Sequence, residues 1–396
     1  MQHHIIYCTF LLGILFILAT AFPAAAQSQE SHASDDQHAI LGDSVRYGFL
    51  PALGYSSDVG FVAGGLLGRY HYKDGFTPYF GKIQTAFIVT TRGLFSLSLY
   101  TDHMQTFGQE VRSLNKFSTG RQLETPWFGL GNNSDFDLDL WDEGYYFYES
   151  FFLMHEYRGR KRLWNSGNSS GRYLDAMYIN DIRGIWPKLG SGNSFFAEQN
   201  VPNSDGSWVW LTGLGLHWEN RDNEIAPTTG NTVVLDLLVA PGVIADHQMW
   251  WTSFVATQYY TRKIIFPVTL ALRGAYMQAG GDVPFYAYPE LGGEFSMRGY
   301  AQGRFRDDAT LFYTAELRTW LFQYPDLNFR LGGHVFVDGG RTYQSGDVLP
   351  SLFDNHKRTF GIGGAMSLFT DEFLVRADLG FSDEISRLYL GIGYTF

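Results

Sequence analysis

One cysteine, Cys8, is the only thiol in 396 residues, and it lies inside the apolar leader. A chain processed after that leader holds no disulfide and no cysteine-based metal site. Charge is sparse too. Asp, Glu, Lys and Arg make up 17%, against roughly 25% in soluble domains. The balance is acidic, at −11. Phosphate binding needs a basic face, so nucleic acid is excluded as a partner. The 11 His show no metal-ligand spacing, and neither metal nor another cofactor is expected. After residue 27 no continuous run of about 18 apolar residues occurs, which excludes membrane-spanning helices.

Aromatics and glycine are abundant instead: 33 Phe, 24 Tyr, 10 Trp and 45 Gly. Aromatic girdles at two membrane interfaces use such numbers, and glycine suits turns and close strand packing. Residues 5–22 are almost wholly apolar and run into Pro23, Ala24, Ala25, Ala26 and Gln27. The small residues fit cleavage before Gln27, so 1–26 reads as an export signal. Its start carries His3 and His4 but no Lys or Arg, and its length would also suit an uncleaved anchor. Residues 27–45 are polar and aperiodic, a short periplasmic tail. From 46 to 396 one pattern holds without a linker, which makes one domain.

That pattern has period two. Leu311, Tyr313, Ala315 and Leu317 oppose Phe312, Thr314, Glu316 and Arg318. Phe329, Leu331, Val335 and Val337 oppose Asn328, Arg330, His334 and Asp338, and Phe373, Val375, Ala377, Leu379 and Phe381 oppose Arg376 and Asp378. The last segment sets Leu388, Leu390, Ile392, Tyr394 and Phe396 against Arg387, Tyr389, Gly391, Gly393 and Thr395. Alternation puts the two sets on opposite faces of a strand. A sandwich would alternate as well, but segments of about ten residues with a mixed polar face fit strands that cross a bilayer around a wet lumen.

About sixteen such segments are predicted between 46 and 396, the even number that single-chain barrels prefer. The last is expected over 386–396. Pro267 interrupts 264–277 and implies a bulge or a late strand start. The fold class is therefore all-β: a single transmembrane antiparallel β-barrel. An even count puts both chain ends on the periplasmic side. Segments 120–144 and 278–309 are then long extracellular connections, while short turns such as Thr91-Arg92-Gly93 fall on that side too.

Three motifs carry a family resemblance. The first is Gly292-Gly293-Glu294-Phe295-Ser296-Met297-Arg298-Gly299-Tyr300. The second is Phe336-Val337-Asp338-Gly339-Gly340, and the third is Glu219-Asn220-Arg221-Asp222-Asn223 with Pro227 and Gly230. Together, in this order and spacing, they resemble the bacterial surface antigen superfamily, the barrel of BamA/TamA-type outer-membrane assembly and secretion factors. The resemblance covers 46 to the end. It implies a long loop folded into the lumen, where Arg298 pairs with Asp338 and Glu316, since a guanidinium forks between carboxylates. It also implies a periplasmic turn at Arg221, Asp222, Asn223, Pro227 and Gly230. Tyr389, Gly391, Tyr394 and Phe396 are similar to the terminal assembly signal of outer-membrane barrels. One departure stands out. Family insertases carry periplasmic POTRA domains before the barrel, and here a tail of about twenty residues is expected in their place.

The resemblance implies a non-enzymatic role in outer-membrane protein assembly or translocation, in the outer membrane of a Gram-negative-type bacterium. Expected partners are outer-membrane lipid and unfolded outer-membrane proteins or a periplasmic accessory protein. A solute pore plugged by the 278–309 segment is the alternative, with Arg304, Arg306, Asp307 and Asp308 either gating passage or pairing among themselves. A membrane-embedded hydrolase is the remaining alternative. Its Gly167-Asn168-Ser169-Ser170-Gly171 string lacks the strand and helix of a nucleophile elbow and reads as a turn. His217 and His334 are isolated histidines on strands.

Overall fold

The structure is a computed structural model that describes residues 43–76, 79–106, 110–167, 171–188, 194–224, 226–347, 354–367 and 374–396. The expected export signal, all but three residues of the tail, and Asn168, Ser169 and Ser170 lie outside the described residues.

Every alternating segment holds a strand, Phe373 lying outside the described residues and 393–396 beyond the last strand. The first half holds β1 (Ser44–Ser56), β2 (Gly60–Tyr72), β3 (Gly81–Thr90), β4 (Leu94–His103) and β5 (Val111–Pro126). It continues with β6 (Phe147–Asn165), β7 (Tyr173–Lys188) and β8 (Ser207–Glu219). The second half holds β9 (Gly230–Pro241), β10 (Gln248–Lys263), β11 (Pro267–Gly281) and β14 (Ala309–Tyr324). After these come β15 (Phe329–Tyr343), β16 (Lys357–Ser367), β17 (Leu374–Phe381) and β18 (Ser386–Ile392). These strands close antiparallel into one barrel, with β1 beside β18. Two short strands, β12 (Glu290–Leu291) and β13 (Phe305–Arg306), pair within the connection from β11 to β14. Two one-turn helices, α1 (Leu138–Asp142) and α2 (Phe195–Glu198), sit in the long connections at the same end of the barrel. We call that end the loop end, and the other the turn end.

The outer wall is apolar and exposed: Phe360 and Ile362 on β16, Leu237 and Val239 on β9, Val335 and Val337 on β15. A soluble protein would hide such a band, whereas lipid solvates it. The inner wall carries the opposite set, so Arg318, His334, Asp338 and Asp378 are buried. Pro267 opens β11 opposite Lys263, where a missing N–H breaks no interior ladder bond. The late-start expectation is the one that describes it.

The last strand departs from expectation. It ends at Ile392 rather than Phe396, and Gly393 turns the chain inward at φ 73°. Tyr394 and Phe396 are therefore buried in the lumen instead of facing lipid. The physical reason is the guanidinium of Arg318, which lies 3.9 Å from the Tyr394 ring centroid and 4.9 Å from that of Phe396. Cation–π contact in a desolvated lumen outweighs a strand extension with few partners.

Candidate functional site

The connection between β11 and β14 folds back into the barrel. Leu291, Met297, Tyr300 and Phe305 are buried in one apolar cluster with Val209, Leu211 and other inward side chains of the wall. At its tip Arg298 reaches the inner faces of β14, β15 and β17. Its Nε and Nη2 donate to Asp338 at 2.9 Å each, its backbone N–H donates to Asp338 at 3.1 Å, and Nη1 donates to Glu316 at 2.9 Å and Asp378 at 3.2 Å. The Phe336 ring lies 3.3 Å from the guanidinium. The backbone comes equally close. A Cβ on Gly299, at φ 113°, would stand 2.8 Å from the Phe381 carbonyl carbon, and Ser382 Oγ donates to the Gly299 carbonyl at 3.0 Å. A side chain at 299 would therefore lift the tip off β17.

The groups around the tip are paired. Arg318 donates to Glu316 at 2.7 Å, Arg376 pairs with both Asp378 and Glu294, and His334 lies 2.6 Å from Asp378. Four acids thus face three arginines and one histidine. Burial works against the Arg298 charge, but Asp338, Glu316 and Asp378 outweigh it and raise its pKa well above the ordinary arginine value. Glu294 behaves oppositely. Burial pushes its carboxyl up to about 7, Arg376 pulls it down, and Asp378 and Asp58 push it up again.

The structure thus brings together Met297, Arg298, Gly299, Tyr300, Glu316, Phe336 and Asp338. Gly340 sits one strand register further, where a Cβ would press on Leu291. Alternation alone places Arg318, His334, Arg376 and Asp378 on the lumen face, but it does not give their grouping around Arg298. Glu294 sat inside the loop motif unassigned. The third motif, the turn after β8, is elsewhere, at the turn end. There Arg221 donates to Glu219 at 2.8 and 2.6 Å, Asp222 accepts from the backbone of Thr228 at 2.9 Å and Thr229 at 3.1 Å, and Asn223 accepts from Ala226 at 3.0 Å. Partial burial opposes, but these donors hold the Asp222 carboxyl below its usual range. Pro227 and Gly230 complete the hairpin, Gly230 at φ 96°.

The same loop touches both sides of the barrel seam. Tyr300 bonds Asp383, and Arg304 pairs with Glu384 at 2.7 Å, both on the β17–β18 connection. Gln302 N–H donates to Asp58 of the β1–β2 connection at 3.0 Å, and Arg387 donates to the same carboxylate at 2.8 Å. Below this clamp the seam is open. β1 and β18 pair at Ser56 and Tyr389 alone, with Ser57 N–H donating to the Leu388 carbonyl at 3.0 Å. From Ser44 to Tyr55 the β18-facing edge of β1 has no strand partner among the described residues. Pro51 is the mark of this edge in the sequence, since proline in a strand belongs at an edge.

Other expected sites are dispersed. Arg306 pairs with Glu290 at 2.8 Å and Asp308 accepts from Ser345 N–H at 2.8 Å, so these charges serve the loop and its neighbours instead of ringing a passage. His217 lies 3.6 Å from Glu219. A chain of Ser207, His247 and Asp282, at 2.9 and 2.8 Å, has the order of a hydrolytic triad. Ser207 and His247 are both buried, however, and the Tyr286 hydroxyl sits 3.1 Å from Ser207 Oγ. The chain ties the start of the loop to β8 and β10.

An apolar outer wall, a lumen of paired charges and a loop seated inside define an outer-membrane type of β-barrel. The chain belongs to the Omp85 superfamily, whose domain matches residues 156–396. Over 142 residues it is 28% identical to protein TOC75, chloroplastic, of Oryza sativa subsp. japonica, covering 34% of this chain and 17% of that protein. BamA from Haemophilus ducreyi lacking POTRA domains 1–3 is similar in structure at TM-score 0.56 and 12% identity, over 88% of this chain and 69% of that one. CdiB from Acinetobacter baumannii is similar at TM-score 0.52 and 11% identity, over 89% and 66%. At such identities the likeness to solved structures concerns the fold. The family resemblance read from the sequence and the all-β barrel are both borne out.

Proposed function

We propose that this barrel acts in the assembly or translocation of outer-membrane proteins and takes an incoming strand on the open edge of β1. The seam carries this reading. An unpaired row of N–H and C=O groups is a template for strand addition, and each ladder bond adds about 1 kcal/mol net. In lipid, where no water competes, leaving those groups unpaired costs several times more. Tyr47 and Phe49 on β1 already face outward and exposed. A strand added beside them would hold its alternate side chains toward lipid in the same way. Filling of the lumen by the loop argues against the solute-pore alternative. Membership of a superfamily of transport and assembly barrels argues against the hydrolase. The partners in this reading are lipid at the outer wall, unfolded outer-membrane proteins at β1, and a periplasmic accessory protein at the turn end.

The test uses a Ser57→Cys/Leu388→Cys variant of the full chain, reconstituted in vesicles with an unfolded barrel client. These two positions are hydrogen-bonded across the seam, Leu388 N–H donating to Ser57 Oγ at 2.9 Å. Oxidation should drop client folding to its spontaneous rate, and reduction should restore it. Equal folding in both redox states would remove the seam from the account.

A further inference from the structure

The inner faces of β10, β11 and β14 present a pocket beside the loop lock, joined to it where Arg318 shares Glu316 with Arg298 and Arg273 Nη2 donates to the Phe295 carbonyl. In register, Thr257, Arg273 and Thr314 form one row, Tyr259, Ala271 and Glu316 the next, and Thr269 and Arg318 the third. Phe396 sits in it, packed with Tyr259 and Ala271. Two guanidinium groups face its ring, Arg273 at 4.8 Å and Arg318 at 4.9 Å from the centroid. They also read the backbone: Arg318 Nη2 donates to the Phe396 carbonyl at 3.1 Å and Arg273 Nη1 to the Thr395 carbonyl at 3.4 Å. Residues 394–396 are thus held through an aromatic ring and backbone oxygens, outside the strand ladder.

Two independent observations indicate that the pocket can take another occupant. The first is that it holds more donors than its present segment uses. Arg273 Nε, Arg318 Nη1 and the hydroxyls of Tyr259, Thr257 and Thr314 are buried without a hydrogen-bond partner among the described residues. Such groups are costly to leave unmet. The second is that residues 393–396 have a second place to go. Continuing the register Ser56↔Tyr389 puts Gly393 opposite Ala52 and Phe396 opposite Phe49. Tyr394 and Phe396 would then face outward beside β1, as their alternation in the sequence implies.

We infer that the Tyr259–Arg273–Arg318 pocket is a lumen receptor for an aromatic residue on an extended polypeptide segment, filled in this structure by Phe396 and exchangeable for a segment of a client strand. The client as ligand rests on the assembly reading above; the ring-and-carbonyl recognition rests on the pocket. When residues 393–396 move to β1, Arg273 keeps the Phe312 ring and Arg318 the Tyr259 ring, but both lose the ring of Phe396, and an incoming strand with an aromatic at alternating positions supplies a replacement.

The experiment uses the full chain in detergent with Tyr394→Ala/Phe396→Ala, which vacates the pocket, and a fluorescent peptide of the sequence of residues 390–396. The peptide should bind the vacated protein, and its copy with both aromatics changed to Ala should not. Adding Arg273→Gln or Arg318→Gln should weaken binding by about tenfold. Should either arginine variant fail to fold, a benzophenone in place of the terminal Phe of the peptide gives a second readout. It should crosslink to β10, β11 or β14 of the vacated protein. Equal binding of the aromatic and Ala peptides would overturn the inference. So would crosslinks confined to residues 44–56, and that result would leave the assembly reading standing.

Discussion

Replacing Arg298 by Ala removes one cation shared by three buried carboxylates, and they are not equally affected. Glu316 keeps Arg318, and Asp378 keeps Arg376 and His334. Every hydrogen bond that the Asp338 carboxylate accepts from described residues comes from Arg298, and Asp338 is fully buried at 0% exposure. Truncating one member of a buried pair costs about 3–5 kcal/mol, because the other charge stays behind unpaired. Asp338 cannot relax toward water while the loop is seated, so the strain is relieved by releasing the tip. A cost of about 3 kcal/mol raises the open population roughly a hundredfold, and proteolysis follows that population when reclosing is fast. Limited proteolysis of wild type and Arg298→Ala should therefore show cleavage within 282–308 about a hundredfold faster in the variant. Adding Asp338→Asn removes the stranded charge and should recover most of the protection. Equal cleavage of Arg298→Ala and wild type would refute the reasoning. So would an Asp338→Asn change that made the Ala variant worse.

Further outcomes follow from the same geometry. Glu294 titrates near 7 when seated and near 4.5 when exposed, so the seated loop holds a proton that the released loop gives up. Its contribution to seating is complete below about pH 4.5 and is lost as pH rises through 7, a change of about 3 kcal/mol. Protection of 282–308 should fall between pH 5 and 8 in wild type and stay flat in Glu294→Gln. At the turn end, Asp222→Ala removes the acceptor of the Thr228 and Thr229 N–H groups and should destabilise the hairpin by about 1 kcal/mol, read as faster amide exchange at 228–229. In planar bilayers the wild type should conduct little, and Arg298→Ala should conduct more. A large, steady wild-type current unaffected by that change would favour the pore.

Much of this architecture was legible because strand alternation is a two-residue signal that neither tertiary packing nor lipid reverses. The polar sets on β14, β15 and β17 identify the lumen face, and the family resemblance implies that Arg298 meets Glu316 and Asp338 there. The same rule misplaced Tyr394 and Phe396. Alternation reports which face a residue would take within a strand, not whether the strand has a partner long enough to hold it. Arg273 and Arg318 decide that case from strands more than 70 residues upstream, a distance at which no local pattern speaks. Likewise, the Ser207–His247–Asp282 chain joins residues at the loop-end starts of β8 and β10 and the end of β11, which the consecutive pairing of β8 to β11 sets side by side.

The central claim is that this Omp85 barrel serves other outer-membrane proteins. Depleting it in its own cell and comparing the outer-membrane proteome tests that claim most directly. The account predicts a coordinated fall in other β-barrel proteins and accumulation of their unfolded forms, reversed by the wild-type chain but not by the oxidised Ser57→Cys/Leu388→Cys variant. An unchanged set of barrels, with only the uptake of one solute lost, would contradict it.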